Sequence, residues 1–494
     1  MILTDEHLML RDTVRKRMNE KDIQVMIKMY EKHNAPFPWE YLHEMAALGL
    51  TGINIPEEYG GQGADNRSGV IAMMEMSRIW SGGALILAVG NSLVSYPLVK
   101  FGSPHQKNKW LPQLAEGYLL GSFCLTEPGH GSNAAHLKTR AKVSEKGWLI
   151  NGDKCFITNA PIASFLIVFC RTSSTHDNHK GISAFLVPAE KCAELFVGPP
   201  DEKEGLHAAH MGSLGFMDYF APFDSLVGEY DKGFSVAMKT LDHGREWISA
   251  QIIGSLERAR ELVDSHADNR EVFGFRLSEF SSIYDVSTSL ALAADISKML
   301  LFYSATLEDQ KKDFGPYASL AKLFSSEMLS GLKSSAQKVH GGSGFIVANE
   351  ISRIAMDGDV FPIYEGASNI QRSVILRAWL DDRLQIFPKP PFTYHLNNLK
   401  TEAQSLGGLD ALHTIEQRDL FAIADILPWV AAWHIFENEF SNNWPASFMN
   451  FKDVSLFGEL LWSELELAWP HKEKRKNNSI WERAQAHLKS TALK

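Results

Sequence analysis

Glu365 is the side chain in this sequence with the clearest chemical potential. It lies in VFPIYEGASNIQR (residues 360–372), where it is the only acid and stands between Tyr364 and Gly366. Such an acid has two readings. It can sit at a helix entrance and favour the dipole by roughly 0.3–1 kcal/mol. It can also be a general base: a solvated glutamate, pKa about 4.3, is a poor one, but burial against apolar surface raises it. Ile363 and Tyr364 offer such surface, and Gly366 relieves crowding where a helix begins. A second group of candidates lies upstream. GHGSNA (129–134) formally satisfies G-x-G-x-x-A, but a dinucleotide fingerprint needs a strand before it and a helix after it. Pro128 precedes it and KTRAKV (138–143) after it reads as extended, so a glycine-rich loop that approaches a ligand closely is the better reading. FCLTEPGHGSNAAHLKTRA (123–141) and INGDKCFITNA (150–160) place Thr126, Ser132, Thr158 and Phe156 at strand ends beside turns, which points to one shared ligand surface.

The elements that must position these residues differ in texture along the chain. Residues 1 to 118 are mainly helical in pattern, with Thr4 as a plausible N-cap and Asp5 and Glu6 in the first turn. Residues 119–232 carry short β-branched runs between turns: WLINGD (148–153), CFITNA (155–160), FLIVFCRT (165–172) and ISAFLVPA (182–189). From 233 to 384 the helical period returns in long segments (235–266, 278–310, 316–340, 365–384), the pattern of antiparallel bundled helices. Residues 385–494 form a further helical-looking block with six of the twelve tryptophans: Trp429, Trp433, Trp444, Trp462, Trp469 and Trp481. HKEKRKNN (471–478) reads as a solvated link. A β-region between helical regions is not a Rossmann layout, which alternates strand and helix throughout.

Composition narrows the function classes. The chain has 494 residues, 45% hydrophobic and 22% charged, which suits a globular protein with a large core. A formal net charge of -10 offers no global basic field for nucleic acid, so an anionic ligand must be held by local arginines, lysines and backbone amides. Cys124, Cys155, Cys170 and Cys192 show no CxxC spacing and read as buried reduced thiols of a cytoplasmic protein. No metal ligand set is expected, and no apolar run long enough for a transmembrane segment.

LTEPGHGSNAA…KTRA, INGDKCFITN, GISAFLVP, NREVFG, VHGGSGF and IYEGASNIQR occur in one order. That ordered set resembles the acyl-CoA dehydrogenase family, over residues 1 to about 384. The resemblance implies an α+β fold: an N-terminal helical domain (1–118), a middle antiparallel β-barrel or sandwich domain (119–232) and a C-terminal four-helix bundle (233–384), with 385–494 as a helical extension. It implies bound FAD, a homodimer or homotetramer, an acyl-CoA substrate and electron-transferring flavoprotein as oxidant. Carried across, Phe123, Leu125, Thr126 and Ser132 face the flavin, with Phe156 and Thr158 against the ring's other side. Most relatives have tryptophan at Phe156 and aspartate at Asn133. Arg270 and Phe273 match residues that reach a neighbouring subunit's cofactor, and Gly341 and Gly342 match a cofactor-side turn. Lys338 stands where relatives carry glutamine, and Ala367 and Asn369 replace a threonine and a glutamine at the FAD phosphates. Asp242 and Arg245 in LDHGRE match the substrate-lining helix segment, Gly366 and Ser132 also facing substrate. Some relatives carry their base at the residue before that arginine; here it is Gly244, and Glu246 lies about 100° further round the helix from Arg245. Glu365 is therefore the base that the resemblance implies, abstracting the α-proton of a thioester while its own backbone N–H helps stabilise the enolate oxygen. Two further readings share the fold: an oxidase passing electrons to oxygen, and a non-catalytic FAD-binding relative.

Overall fold

The computed structural model describes residues 3–173, 179–386, 400–401, 404, 417–440, 449–451 and 453–468. The chain divides into two compact units, Leu10–Trp247 and Met1–Met9 with Ile248–Lys494.

In the first unit, helices precede a sheet. The helices are α1 (Asp5–Met18, starting in the other unit), α2 (Lys21–Tyr30), α3 (Trp39–Ala47), α4 (Asn66–Ile79), α5 (Ser81–Ala88), α6 (Tyr96–Phe101) and α7 (Pro104–Ala115). Their starts follow local chemistry. Asp65 accepts the Ser68 N–H ahead of α4, and Ser103 and Gln106 form a reciprocal capping box on α7. A π-helical stretch, Val89–Ser95, joins α5 to α6.

The strands are β1 (Gly121–Cys124), β2 (Arg140–Val143), β3 (Gly147–Thr158), β4 (Phe165–Arg171), β5 (Ile182–Pro188), β6 (Leu195–Val197), β7 (Met211–Pro222) and β8 (Leu226–Val227). They form one eight-stranded sheet in the order β6-β7-β3-β2-β4-β5-β8, with β1 beside β4. The pairing is mainly antiparallel, but β1 runs parallel to β4, with Gly121 opposite Phe165, and β2 touches β4 in the same sense. An all-antiparallel domain is corrected to that extent. β4 and β5 are buried along almost their whole length, hence their continuous apolar runs. Trp148, Ile150, Ile157, Val168 and Phe185 share the apolar core. The runs 148–153 and 155–160, read as two strands, are one long strand with register shifts at Ile150/Gly152 and Lys154/Ile157. Bulges let the chain bend there without leaving the sheet. Cys124, Cys155 and Cys170 are buried, as expected; Cys192 is exposed, in a polar surface stretch ahead of β6.

Helix α8 (Gly233–Asn269) runs from one unit into the other. In the second unit it is followed by a hairpin of β9 (Glu271–Val272) and β10 (Phe275–Arg276) and by α9 (Ser281–Asp309), α10 (Gly315–Val339), α11 (Glu350–Asp357) and α12 (Ser368–Leu380). Among the described residues the extension carries α13 (Gln417–Ile435) and α14 (Val454–Ala468). α13 packs on α9, α10 and α12, and α14 packs on α13. Trp429 meets Phe324 of α10 edge to face at 4.9 Å, and Trp433 meets Trp462 at 4.8 Å. Trp444, Trp469, Trp481 and 471–478 lie outside the described residues.

A buried acid latches the extension to the bundle. Asp295 of α9 is 0% exposed and accepts the N–H groups of Asn450 (3.0 Å) and Phe451 (2.9 Å) and the Asn450 amide (2.8 Å). Lys298 balances that charge at 3.3 Å and also pairs with Glu257. Arg372 of α12 reaches Asp425 of α13 at 2.7 Å.

No clear transmembrane helix is found among the described residues, in line with the expectation. The continuous helix Ser81–Phe101 and Ser281–Asp309 both pass by length and hydropathy, but 83% of each apolar window is buried, as in the core helices of a packed protein.

Candidate active site

In the first unit, the loop after β1 and the end of β3 are fastened side by side. The Cys155 N–H donates to Thr126 O at 3.1 Å, and the Ser122 hydroxyl donates to Thr158 O at 2.9 Å. Between them lies an ion pair that sequence reasoning missed. Lys154, 0% exposed, donates to Leu125 O (3.1 Å) and to Glu127 Oε1 (2.8 Å). Glu127 in turn accepts the N–H groups of Lys138 (2.5 Å) and Thr139 (2.9 Å). The two residues thus tie both ends of the glycine-rich loop to β3. Burial works to raise the Glu127 pKa, but Lys154 and the two amides outweigh it, leaving the carboxyl below its ordinary value. A signal was present: Lys154 shares the sheet face of Ile150, so an inward lysine was owed a buried partner.

At the bulge beside this clamp, Phe156 adopts φ +56 and is 66% exposed. A left-handed phenylalanine costs about 1–3 kcal/mol, and such strain clusters at ligand sites. The bulge turns an aromatic face outward where the backbones of the half-buried Thr126 and Thr158 are fastened side by side. Phe123 and Leu125 are buried beneath, Phe123 against Phe169 with ring centroids 4.8 Å apart. Asn159, fully buried, has neither amide atom hydrogen-bonded among the described residues. Gly129 has φ +83, and a Cβ there would meet no atom. Ser132 is exposed on the same loop, which continues only as a short 3-10 turn (Ala134–His136) and not as the helix of a dinucleotide fingerprint. An outward aromatic face, half-buried threonines at the adjoining strand ends, an orphaned amide and open backbone fit a flat ring with polar edges, such as a flavin.

Also in this unit, Asp242 and Arg245 of α8 pair with one another, one turn apart, and His243 stacks on Tyr96 at 4.1 Å. Gly244 is buried. Glu246 is fully buried and accepts a hydrogen bond from Asn66, which gives it a structural task.

In the second unit, Glu365 sits in the turn before α12, half-buried, with φ +52, followed by Gly366 at φ +93. Two consecutive left-handed residues need external support, and the fold supplies it. Lys322 of α10 donates to Gly366 O at 3.0 Å. Gln371 of α12 donates to the same oxygen at 3.0 Å and to Glu365 O at 3.3 Å. The Tyr364 hydroxyl donates to Gln251 at 2.7 Å. Desolvation, then the charges of Glu365 and Asp357, push the Tyr364 phenol well above its ordinary range, so it stays protonated at working pH and is no rival base. Ile363 is 66% exposed and forms an apolar shoulder beside the acid.

Other expected residues of this unit lie nearby in sequence or apart. Ala367 precedes α12 without a side-chain cap, and exposed Asn369 accepts from Arg372 at 3.1 Å. Lys338 is exposed in the last turn of α10, and Gly341 and Gly342 follow in open space. Arg270 and Phe273 sit apart on the β9–β10 hairpin, Phe273 with φ +55 and almost fully exposed.

A helical region, a mainly antiparallel sheet with a ligand ledge, and a bundle bearing a propped acid define a class that known proteins identify. The acyl-CoA dehydrogenase N-terminal, middle and C-terminal domains match residues 4–118, 122–219 and 231–380. The chain belongs to the acyl-CoA dehydrogenase family. It is 37% identical over 373 residues to the short-chain specific acyl-CoA dehydrogenase of Bos taurus mitochondria, covering 76% of this chain and 90% of that protein. It is 35% identical over 375 residues to CarC, a subunit of the caffeyl-CoA reductase-Etf complex of Acetobacterium woodii, covering 76% and 98%. The butyryl-CoA dehydrogenase structure from Megasphaera elsdenii superimposes with a TM-score of 0.73 at 31% identity, covering 77% of this chain and 99% of that one.

Proposed function

We propose that this protein is an FAD-dependent acyl-CoA dehydrogenase that desaturates an acyl-CoA thioester between its α and β carbons, with Glu365 as the base. The observation that carries the reading is the propped, left-handed Glu365 in a chain of this family. FAD, when bound, supplies the acceptor for the β-hydride. The chain's own residues do the rest. Glu365 removes the α-proton, and its backbone N–H donates to the developing enolate oxygen. Phe156 packs on the ring, and Thr126, Ser132 and Thr158 hold its polar edge, above Phe123 and Leu125. Arg270, Phe273, Lys338, Gly341, Gly342, Ala367 and Asn369 serve the cofactor's remaining parts, Arg270 through its phosphate-matching fork. Asp242, Arg245 and Gly366 line the substrate.

Electron-transferring flavoprotein is the proposed acceptor; the similar CarC is a subunit of a caffeyl-CoA reductase-Etf complex, which supports that choice. Homo-oligomers are proposed, and free cysteines suit a reducing compartment such as the cytoplasm. An anaerobic titration of the purified protein with saturated acyl-CoAs, from butyryl upward and including branched acids, tests the reading through bleaching of the flavin absorbance. Bleaching by at least one member is expected. A yellow protein that no member bleaches, or a protein without FAD, overturns it; stoichiometric peroxide under air would instead identify an oxidase.

A further inference from the structure

The Gly366 carbonyl accepts from two buried side-chain donors. A carbonyl oxygen offers two lone pairs, and here Lys322 Nζ and Gln371 Nε2 both donate to it at 3.0 Å. Both side chains are 0% exposed. Gln371 spans to Glu365 O as well, at 3.3 Å. The carbonyls they grip belong to two consecutive left-handed residues, Glu365 (φ +52) and Gly366 (φ +93), so the peptides on both sides of Gly366 are held. One donor comes from α10, the other from α12, so the turn is held from two elements. The loop is closed by Ser368 N–H on Pro362 O at 2.9 Å, which fixes the path of the chain but not the 365–366 peptide itself.

We infer that Lys322 and Gln371 are positioning residues for the base, jointly clamping the Gly366 carbonyl so that Glu365 keeps the backbone conformation that aims its carboxylate. The inference rests on the reading of Glu365 as the base. A lysine makes the bond charge-assisted and stronger than a neutral donor would. Without the clamp the glycine is free to rotate, and Glu365 relaxes toward an ordinary conformation, displacing the carboxylate. Proton transfer is steep in such displacements, whereas most of the residues proposed to hold cofactor and thioester lie outside this turn, so affinity should change much less.

The step is read in isolation with a 3-thia-acyl-CoA. Sulfur replaces the β-carbon, so Glu365 can take the α-proton, leaving the C–H electrons in the enolate, but no β-hydride follows. In D2O the carboxyl returns a deuteron, and mass spectrometry counts it. Holoenzymes of Lys322→Met, Gln371→Leu and the double variant are compared with wild type. Exchange is expected to slow on the order of 30-fold in Lys322→Met and about tenfold in Gln371→Leu. FAD occupancy and the analogue Kd should stay within about threefold. The double variant should be little slower than Lys322→Met, because both residues act on one oxygen. Exchange at the wild-type rate in either folded variant, or exchange and affinity falling in parallel, overturns the inference. If Lys322→Met fails to fold, Gln371→Leu decides it alone. Glu365→Gln separates the two readings: exchange that survives there removes Glu365 as the base, whereas exchange lost there but normal in the clamp variants removes only the clamp.

Discussion

Replacing Lys154 with methionine should loosen the flavin-side loop by an amount the structure allows to be estimated. The substitution keeps the apolar stem and deletes a buried ammonium that donates to Leu125 O and Glu127 Oε1. Glu127 would be left 4% exposed, with the N–H groups of Lys138 and Thr139 still donating to it. Breaking a buried pair from one side costs about 3–5 kcal/mol, and the two surviving amide bonds favour the lower end, about 3 kcal/mol. Adding Glu127→Gln removes the stranded charge and should recover roughly half of that. Because unfolding of a chain this long is not two-state, amide hydrogen exchange is the proper assay. At 1.36 kcal/mol per tenfold, Thr139 and Cys155 should lose protection by roughly 150-fold in Lys154→Met. The pH dependence has a defined sign. Glu127 has a lowered pKa, so its contribution is complete above the ordinary carboxylate range and is lost as pH falls through its folded value. In Lys154→Met that acid sensitivity should weaken. Unchanged protection, or a double variant losing as much as the two singles combined, would refute the clamp.

Other local features carry their own expected outcomes. Asp295→Ala should release residues 449–451 from α9, since three donors and Lys298 lose one acceptor; exchange of the Asn450 and Phe451 amides should rise by about 100-fold, and no rise would place the latch elsewhere. Phe156→Ala should change stability by under about 0.5 kcal/mol, because the side chain is exposed, yet weaken FAD binding by roughly tenfold. An equilibrium dialysis Kd equal to wild type would mean the ring packs elsewhere. Arg372→Gln removes a part-exposed pair with Asp425 and should cost about 0.2–1 kcal/mol by thermal melt; a loss several times larger would make that pair a principal anchor of α13.

Much of this was legible in residue patterns. The apolar runs 165–172 and 182–189 gave β4 and β5, and the helical period gave α8, α9 and α10. Glu365, Phe156 and Phe273 were singled out by motif, and all three proved to have positive φ, a feature no pattern reveals because it depends on what holds the backbone. The bulge at Phe156 was hidden for the same reason: alternation on either side of Lys154 looks like two strands, and only the pairing with β7 shows one. Long-range partners were the least readable. Asp295 and Asn450 are 155 positions apart, and a buried acid in an apolar helix does not name its donors. Lys322 could have been flagged, since by helical spacing it shares a face with Ala318, Ser325 and Leu329, small or apolar residues that are all buried.

The most direct test of Glu365 as the base is the Glu365→Gln holoenzyme mixed anaerobically with an acyl-CoA that bleaches the wild type. Glutamine keeps the size and the backbone N–H but cannot accept the proton. The expected result is a yellow protein with full FAD occupancy whose bleaching is slower by at least about 10²–10⁴-fold. Bleaching within about threefold of the wild-type rate would contradict that role and move the base to another residue.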